Sequence, residues 1–480
     1  MTELKQIVIL CFTLAGIALP AFSGNLPAQV QQALKQAGIP ESAVGIYVHE
    51  IGATQPILAI NADEAMNPAS VMKLVTTFAG LELLGPAYTW ETAIYAHGKL
   101  ENGVLQGDLV IKGYGDPKLD LENFWLLIHR LRQTGLHEIT GDLILDHTHY
   151  DIPSDDPGAF DGQPYRTYNI LPEALLVNYR TSALHLTPQP ENNTVRLVVD
   201  PLPDSLLLKN NLKLTRGDCG DWRSLLDTEI HPDENGRLSV SLKGSYSVNC
   251  GKKSHFLGLH DSSTYTRDLF QRLWAQQGGI FQGKVLIGTA PEGILPLKIY
   301  QSPPLTEVVR GINKFSNNIA ARQLYLTLGT AKAPAHSKSP VTLAKSDIAI
   351  RQWLASRQMI FPELVVENGS GLSRNERISA NHMGKFLLAA FQSSVMPEFI
   401  SSMPIAAVDG TMRNRLSGTP VSGLAHLKTG ALWDVSALAG YMLNKSGRRI
   451  VVVFFVNHAR SDAARPVMDR LLQWLYAGSS

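Results

Sequence analysis

Asn67-Pro-Ala-Ser-Val-Met-Lys73 sets a hydroxyl and an amine three positions apart at the head of the apolar run Leu74-Val-Thr-Thr-Phe-Ala-Gly-Leu-Glu-Leu-Leu84. Residues three apart on a helix share a face, so the Lys73 amine can reach the Ser70 hydroxyl. Pro68 suits a first helical turn, and the apolar run predicts that the helix continues. A serine hydroxyl is a poor nucleophile near neutrality without a base beside it. A lysine buried on such a helix loses charge through desolvation and becomes a usable base. The alternative is an exposed lysine one turn after a helix-start serine, because short Ser-x-x-Lys matches arise easily.

Around this helix the chain changes texture twice. Residues 26–36 have the spacing of a short amphipathic helix, and Val44-Gly-Ile-Tyr-Val-His-Glu50 and Pro56-Ile-Leu-Ala-Ile60 are strand-like. After about residue 88, short β-type runs such as Gly107-Asp-Leu-Val-Ile-Lys112 and Thr194-Val-Arg-Leu-Val-Val199 are punctuated by Gly, Asn, Asp and Pro, with one helical stretch near 121–134. Helical patterns return at 304–311, 317–328, 342–357 and 381–391. Two apolar strands, Val435-Ser-Ala-Leu-Ala-Gly-Tyr-Met-Leu443 and Arg449-Ile-Val-Val-Val-Phe-Phe-Val456, then flank Asn444-Lys-Ser-Gly447 as a hairpin, and 463–476 closes as an amphipathic helix. The two ends of the chain can therefore complete one helix-covered sheet, with the middle as an insertion. The expected class is α+β.

At 480 residues the chain is long for one core. Its 44% hydrophobic and 18% charged residues describe an ordinary folded protein. A formal net charge of +1 offers no electrostatic case for nucleic acid or for wholesale adsorption to anionic lipid. Lys5 precedes Ile7-Val-Ile-Leu-Cys-Phe-Thr-Leu-Ala-Gly-Ile-Ala-Leu19, too short to span a bilayer comfortably, and Pro20-Ala-Phe-Ser-Gly24 offers small residues for cleavage after Ser23. Residues 1–23 read as an export signal, with an uncleaved N-terminal anchor as the alternative. Cleavage leaves a chain expected in the periplasm, with only Cys219 and Cys250. That pair is compatible with a disulfide in an oxidising compartment, or with two free buried thiols.

Two further elements carry chemistry. Lys428-Thr429-Gly430, followed by Ala431, reads as an edge strand entering the final hairpin. Its lysine can hold a substrate carboxylate, its threonine adds a hydrogen bond, and its glycine lets a ligand backbone approach. Ser316-Asn317-Asn318 opens a helix, where the serine can relay a proton and Asn318 can hold a substrate amide. The same Ser-x-Asn pattern occurs at Ser247, Ser373 and Ser379, the last resembling a helix N-cap.

Taken in order, Ser-x-x-Lys, Ser-x-Asn and Lys-Thr-Gly form the three-part set of penicillin-recognising serine enzymes. With the export signal and the strand-rich insertion, the chain resembles the class C low-molecular-mass penicillin-binding proteins, the D-alanyl-D-alanine carboxypeptidase/endopeptidase group. Gly113-Tyr-Gly-Asp-Pro117, Tyr168-Asn-Ile-Leu-Pro-Glu-Ala-Leu-Leu-Val-Asn178, Asn368-Gly-Ser-Gly-Leu-Ser373 and Val408-Asp-Gly-Thr-Met-Arg413 look like that family too. The middle residue of the second element is often Asp in the family and is Asn317 here.

The resemblance implies a transpeptidase/β-lactamase-like domain, an antiparallel sheet with helices on both faces, over 24–88 and 286–480. It implies a β-rich insertion over 89–285, divided into two subdomains. It selects Ser316 over the other Ser-x-Asn serines. It further implies Ser70 as nucleophile, Lys73 as its base, Ser316, Asn318 and Lys428 as the remaining catalytic groups, and Thr429, Gly430 and Ala431 in substrate binding. The backbone N–H groups of Ser70 and Ala431 would form the oxyanion hole. Peptidoglycan stem peptides are the expected substrates, β-lactams the expected covalent inhibitors, and no cofactor is implied. Loose association with the cell wall or membrane surface is compatible with this reading.

Asp146-His147-Thr-His149-Tyr-Asp151 is the most metal-like cluster, since alternate histidines on a strand share a side. A solvated strand end is the reading preferred here, so no metal is expected. Two other functions compete. A serine β-lactamase shares the nucleophile and the Lys-Thr-Gly strand, but the large insertion and the lack of a recognisable dedicated deacylation glutamate favour a peptidase. A non-enzymatic cell-wall-binding protein would show gaps among the reactive side chains, and none is missing here.

Overall fold

The alternation of side chains along one strand sets out the architecture. In strand Arg449–Asn457 the run Ile450 to Val456 is apolar without interruption, and its residues divide between two cores. Val451, Val453 and Phe455 face a cluster containing Phe78, Leu324 and Phe386, while Val452, Phe454 and Val456 face Val30, Leu34, Leu471 and Leu475. A strand with helices on both sides has no polar face, which explains the unbroken apolar run. In this computed structural model, which describes residues 24–234, 237–259, 261–331 and 339–478, that strand is the centre of a five-stranded antiparallel sheet. The proposed export signal lies outside the described residues.

The strand order across this sheet is Ala425–Leu432, Val435–Leu443, Arg449–Asn457, Val44–Glu50 and Leu58–Ile60. The chain's first strand thus pairs with its last, Val44 opposite Val456 and Glu50 opposite Ile450. Helices Ala28–Ala37 and Ala464–Ala477 pack together on one face. Helix Lys73–Leu83 lies in the core of the other face, enclosed by Leu305–Phe315, Asn318–Leu328 and Leu343–Ser356. Its residues from Lys73 to Leu81 are all buried. The α+β class and the helices on both faces of an antiparallel sheet are as expected.

The intervening chain builds three further sheets. A seven-stranded mixed sheet includes the long hairpin Glu91–Glu101 and Val104–Gly113, covered by helices Leu121–Arg132 and Ser262–Gln276. One of its strands, Lys298–Gln301, pairs with Glu91–Glu101 although it lies beyond residue 285, where the texture of the sequence changes. Two three-stranded sheets, one containing Thr181–Gln189 and the other Leu238–Ser247, share a small core that includes Leu184, Val199, Val240 and Leu242. Cys219 and Cys250 are joined by a disulfide with Cα atoms 4.7 Å apart, beside Trp222 and Tyr246.

This bridge spans 31 residues of sequence in a lobe with few buried apolar groups, so constraining the unfolded chain should stabilise the lobe by about 3–4 kcal/mol. Replacing both cysteines by serine should therefore lower the thermal unfolding midpoint of the lobe while leaving the catalytic sheet folded. Differential scanning calorimetry of the full chain checks this, and an unchanged profile would refute it.

Candidate active site

Ser70 precedes the α-helix rather than lying within it. Ala69–Met72 form a 3₁₀ turn, and the α-helix begins at Lys73. Positions three apart eclipse one another in a 3₁₀ turn, so Lys73 Nζ still comes to 3.0 Å from Ser70 Oγ. The cause of the irregularity is Ala69, whose φ of 45° is unfavourable for a residue with a Cβ. Asn67 holds it there: its side chain accepts from the Ala69 N–H (2.9 Å) and donates to the Ser373 carbonyl (2.9 Å). The Asn457 side chain in turn accepts from the Asn67 N–H (2.8 Å) and donates to its carbonyl (3.0 Å). The turn carrying Ser70 is thereby tied to the central sheet strand.

Lys73 is fully buried. Its amine faces three oxygens: Ser70 Oγ at 3.0 Å, Asn318 Oδ1 at 2.6 Å and the Ser370 carbonyl. A neutral amine has two protons and one lone pair. In that form the two carbonyl oxygens accept its two N–H groups, and the lone pair is left to accept from the Ser70 hydroxyl. Burial drives the pKa of Lys73 well below the ordinary lysine value, and the charge of Lys428 lowers it further; Glu376 acts in the opposite direction.

Ser316 occupies the junction between helices Leu305–Phe315 and Asn318–Leu328, with φ 57°. Asn317 is the N-cap of the second helix, its side chain accepting from the Ala320 N–H (3.0 Å), which gives it a structural task. Lys314, 2% exposed, anchors the preceding turn through Asp409 (2.7 Å). Lys428 Nζ lies 2.9 Å from Ser316 Oγ and donates to the Thr429 carbonyl (2.7 Å). Burial lowers the Lys428 pKa to about 7. The Thr429 hydroxyl faces outward and donates to Thr411 Oγ1 (2.8 Å).

The edge strand Ala425–Leu432 runs directly past Ser70. A Cβ on Gly430 would stand 2.9 Å from the Ser70 nitrogen and 2.7 Å from the Pro68 oxygen. Gly371, at φ 78°, closes the other side, where a Cβ would come within 1.9 Å of the Ala69 oxygen. Ser70, Ser316, Thr429, Gly430 and Ala431 line one cleft of about 670 Å³. Ser70, Lys73, Ser316, Asn318, Lys428, Thr429, Gly430 and Ala431 are thus brought together from distant parts of the chain.

Several contributors escaped sequence reasoning. The Ser370 carbonyl belongs to the stretch 368–373, one of those that look like the family, but a main-chain acceptor has no sequence signature. Tyr168 reaches the site from the insertion, its carbonyl 3.4 Å from Asn318 Nδ2. Arg322 donates to the Ile170 carbonyl (3.1 Å) and Gln323 to the Glu173 carbonyl (2.8 Å), so the stretch 168–178 braces the helix carrying Asn318. The Asp146–Asp151 cluster does not converge. Asp146 is engaged by Lys112 and Thr148, His147 faces Glu173, and His149 packs edge-on to Tyr114. Among the described residues no group of His, Cys, Asp and Glu is arranged to hold a metal.

Residues 26–477 match the D-Ala-D-Ala carboxypeptidase 3 (S13) family. The chain is 27% identical over 445 residues to the D-alanyl-D-alanine carboxypeptidase DacB of Haemophilus influenzae, covering 92% of this chain and 90% of that protein. It is 26% identical over 487 residues to the D-alanyl-D-alanine carboxypeptidase of Actinomadura sp. (strain R39), covering 96% and 87% respectively. Among solved structures, penicillin binding protein 4 (dacB) from Haemophilus influenzae is similar with a TM-score of 0.75 and 25% identity, over 94% of this chain and 99% of that one.

The close passage of Gly430 makes a sharp prediction. Gly430→Ala should displace the edge strand from Ser70 and lower the rate of acylation by a labelled penicillin by about 10²-fold or more, the scale on which a lost oxyanion donor acts. An unaltered acylation rate in the folded variant would refute that geometry.

Proposed function

The chain belongs to the D-Ala-D-Ala carboxypeptidase 3 (S13) family, and from that premise we propose that Ser70 is the nucleophile of a serine-type D-Ala-D-Ala carboxypeptidase acting on peptidoglycan stem peptides. The observation that carries the assignment is the fully buried Lys73 amine 3.0 Å from Ser70 Oγ. Ser70 passes its proton to Lys73 as Oγ bonds to the carbonyl carbon of the D-Ala-D-Ala peptide. The N–H groups of Ser70 and Ala431 receive the oxyanion. Ser316, linked to Lys428, delivers a proton to the departing amine as the C–N bond breaks, leaving an acyl-enzyme that water hydrolyses. With Lys428 buried against Ser316, the Thr429 and Thr411 hydroxyls are the groups placed to meet the terminal carboxylate.

β-Lactams, which imitate the acyl-D-Ala-D-Ala amide, acylate the same serine in this reading. Residues 1–23 act as an export signal, and the mature chain works in the periplasm. No helix among the described residues is long and apolar enough to cross a membrane.

An endopeptidase reaction on cross-linked stems is favoured by the cleft itself. Its volume of about 670 Å³ suits a ligand far larger than D-alanine. Arg413, Arg415 and Arg465 line it and no carboxylate does. Arg415 is paired with Asp469 (2.6 Å), whereas Arg413 and Arg465 have no carboxylate partner among the described residues. A leaving group carrying additional carboxylates would meet these guanidinium groups.

Incubation with a labelled penicillin and peptide mapping tests the nucleophile. One slowly released adduct on Ser70 is expected, absent in Ser70→Ala, in a mature protein whose first residue is Gly24. An adduct elsewhere would overturn the assignment, and rapid penicillin turnover would point to a β-lactamase. The double variant Arg413→Gln/Arg465→Gln should lower kcat/KM for a cross-linked disaccharide-peptide dimer about tenfold or more while sparing a monomeric pentapeptide. Equal effects on both substrates would remove the case for a larger leaving group.

A further inference from the structure

Beneath the site lies an acidic group with no part in the steps above. Glu376 is fully buried, at the end of the loop that passes under Lys73. Its Oε1 accepts from the Glu367 and Asn368 N–H groups (3.2 Å each). Its Oε2 is buried with no hydrogen-bond partner among the described residues. The Asn368 side chain then accepts from both the N–H (2.9 Å) and the hydroxyl (2.6 Å) of Ser370, whose carbonyl receives a proton from Lys73. One continuous set of hydrogen bonds therefore runs from the Glu376 carboxyl to the Lys73 amine.

The charges around it are sparse and mostly positive. Glu376 faces Lys73, Arg322 and the carboxylate of Glu367. Lys73 itself faces Glu376, Lys428 and Arg322. Glu367 is turned toward Ser373 and the Asn375 side chain, which occupy both of its oxygens. Glu376 is therefore the negative charge whose field reaches Lys73. A buried carboxylate with one unbonded oxygen is costly to maintain, and that cost falls when a cation forms beside it.

We propose that Glu376 is a positioning residue for acylation, fixing the loop that orients Lys73 and serving as the counter-charge of Lys73 once it holds the Ser70 proton. Glu376 takes no proton in the step. Ser70 Oγ–H breaks, Lys73 Nζ–H and the Oγ–carbon bond form, and the carboxylate stabilises the resulting ammonium across the buried gap. Burial pushes the Glu376 pKa up to about 7, so the carboxylate forms as pH rises through neutrality. The sign follows: negative charge on Glu376 raises the pKa of Lys73, and its removal lowers it.

The inference rests on Ser70 acylation, and the experiment separates the two. The second-order rate of penicillin acylation is measured on the full chain across the pH range for the wild type, Glu376→Gln and Asn368→Ala. Gln keeps an oxygen for the two N–H groups and removes only the charge, so its acid limb should move to lower pH by about one unit or more, the scale of a close charge, with a lower plateau. Asn368→Ala loosens the loop while keeping the charge, so its rate should fall at every pH with the acid limb in place. A fixed acid limb in folded Glu376→Gln would overturn the proposal, as would equal shifts in both variants. A wild type that penicillin does not acylate would instead sink the nucleophile assignment.

Discussion

Everything in this site depends on keeping one lysine amine dry. Lys73 lies with no exposed surface, and its direct contacts are uncharged oxygens: a side-chain carbonyl, a main-chain carbonyl and a hydroxyl. Desolvation penalises the charged form, and the absence of a carboxylate in direct contact leaves that penalty standing. The remaining architecture supplies the enclosure. Helix Lys73–Leu83 is buried along its catalytic turns, and helix Asn318–Leu328 and the loop around Ser370 close over the amine. The insertion, through its 168–178 stretch, braces the helix that presents Asn318. The 168–178 stretch therefore shares in enclosing the Lys73 amine.

The second lysine solves a different problem with the same physics. Lys428 is as deeply buried, but its neighbours are Ser316 and its own strand's Thr429 carbonyl. With a pKa lowered to about 7, it stands where a proton can be held or released near neutrality, and Ser316 is its outlet. Two buried amines thus serve the cleft, one beside Ser70 and one beside Ser316, and the charge of Lys428 lowers the pKa of Lys73.

What was legible in the sequence follows from how local each signal is. The final hairpin was readable because a strand covered on both faces has an unbroken apolar run, as in Ile450 to Val456. The Ser70–Lys73 spacing was readable because three positions bring side chains together on either a 3₁₀ or an α turn, so the error about which turn holds Ser70 costs nothing in proximity. The Ser-x-Asn pattern was ambiguous for a physical reason. Ser247, Ser373 and Ser379 all turn their hydroxyls back on nearby N–H groups as local caps. Only a lysine 112 residues away distinguishes Ser316 from them, and that is a tertiary fact. The Ser370 carbonyl and the orphaned oxygen of Glu376 leave no pattern at all, since their significance lies in what surrounds them.

The pairing of the first strand with the last has a consequence for when the enzyme comes to exist. Val44–Glu50 emerges early and waits for Arg449–Asn457, some four hundred residues later, and the Lys428 strand docks only onto that late hairpin. Contacts of such sequence separation form late in folding because a long loop must be closed first. Until the chain is complete, Ser70 has no edge strand beside it, Asn67 has no Asn457 to hold its turn, and Ser316 has no Lys428 beside it. A growing chain therefore carries Ser70 without the neighbours that complete its cleft, and the site is assembled only when the final hairpin is in place.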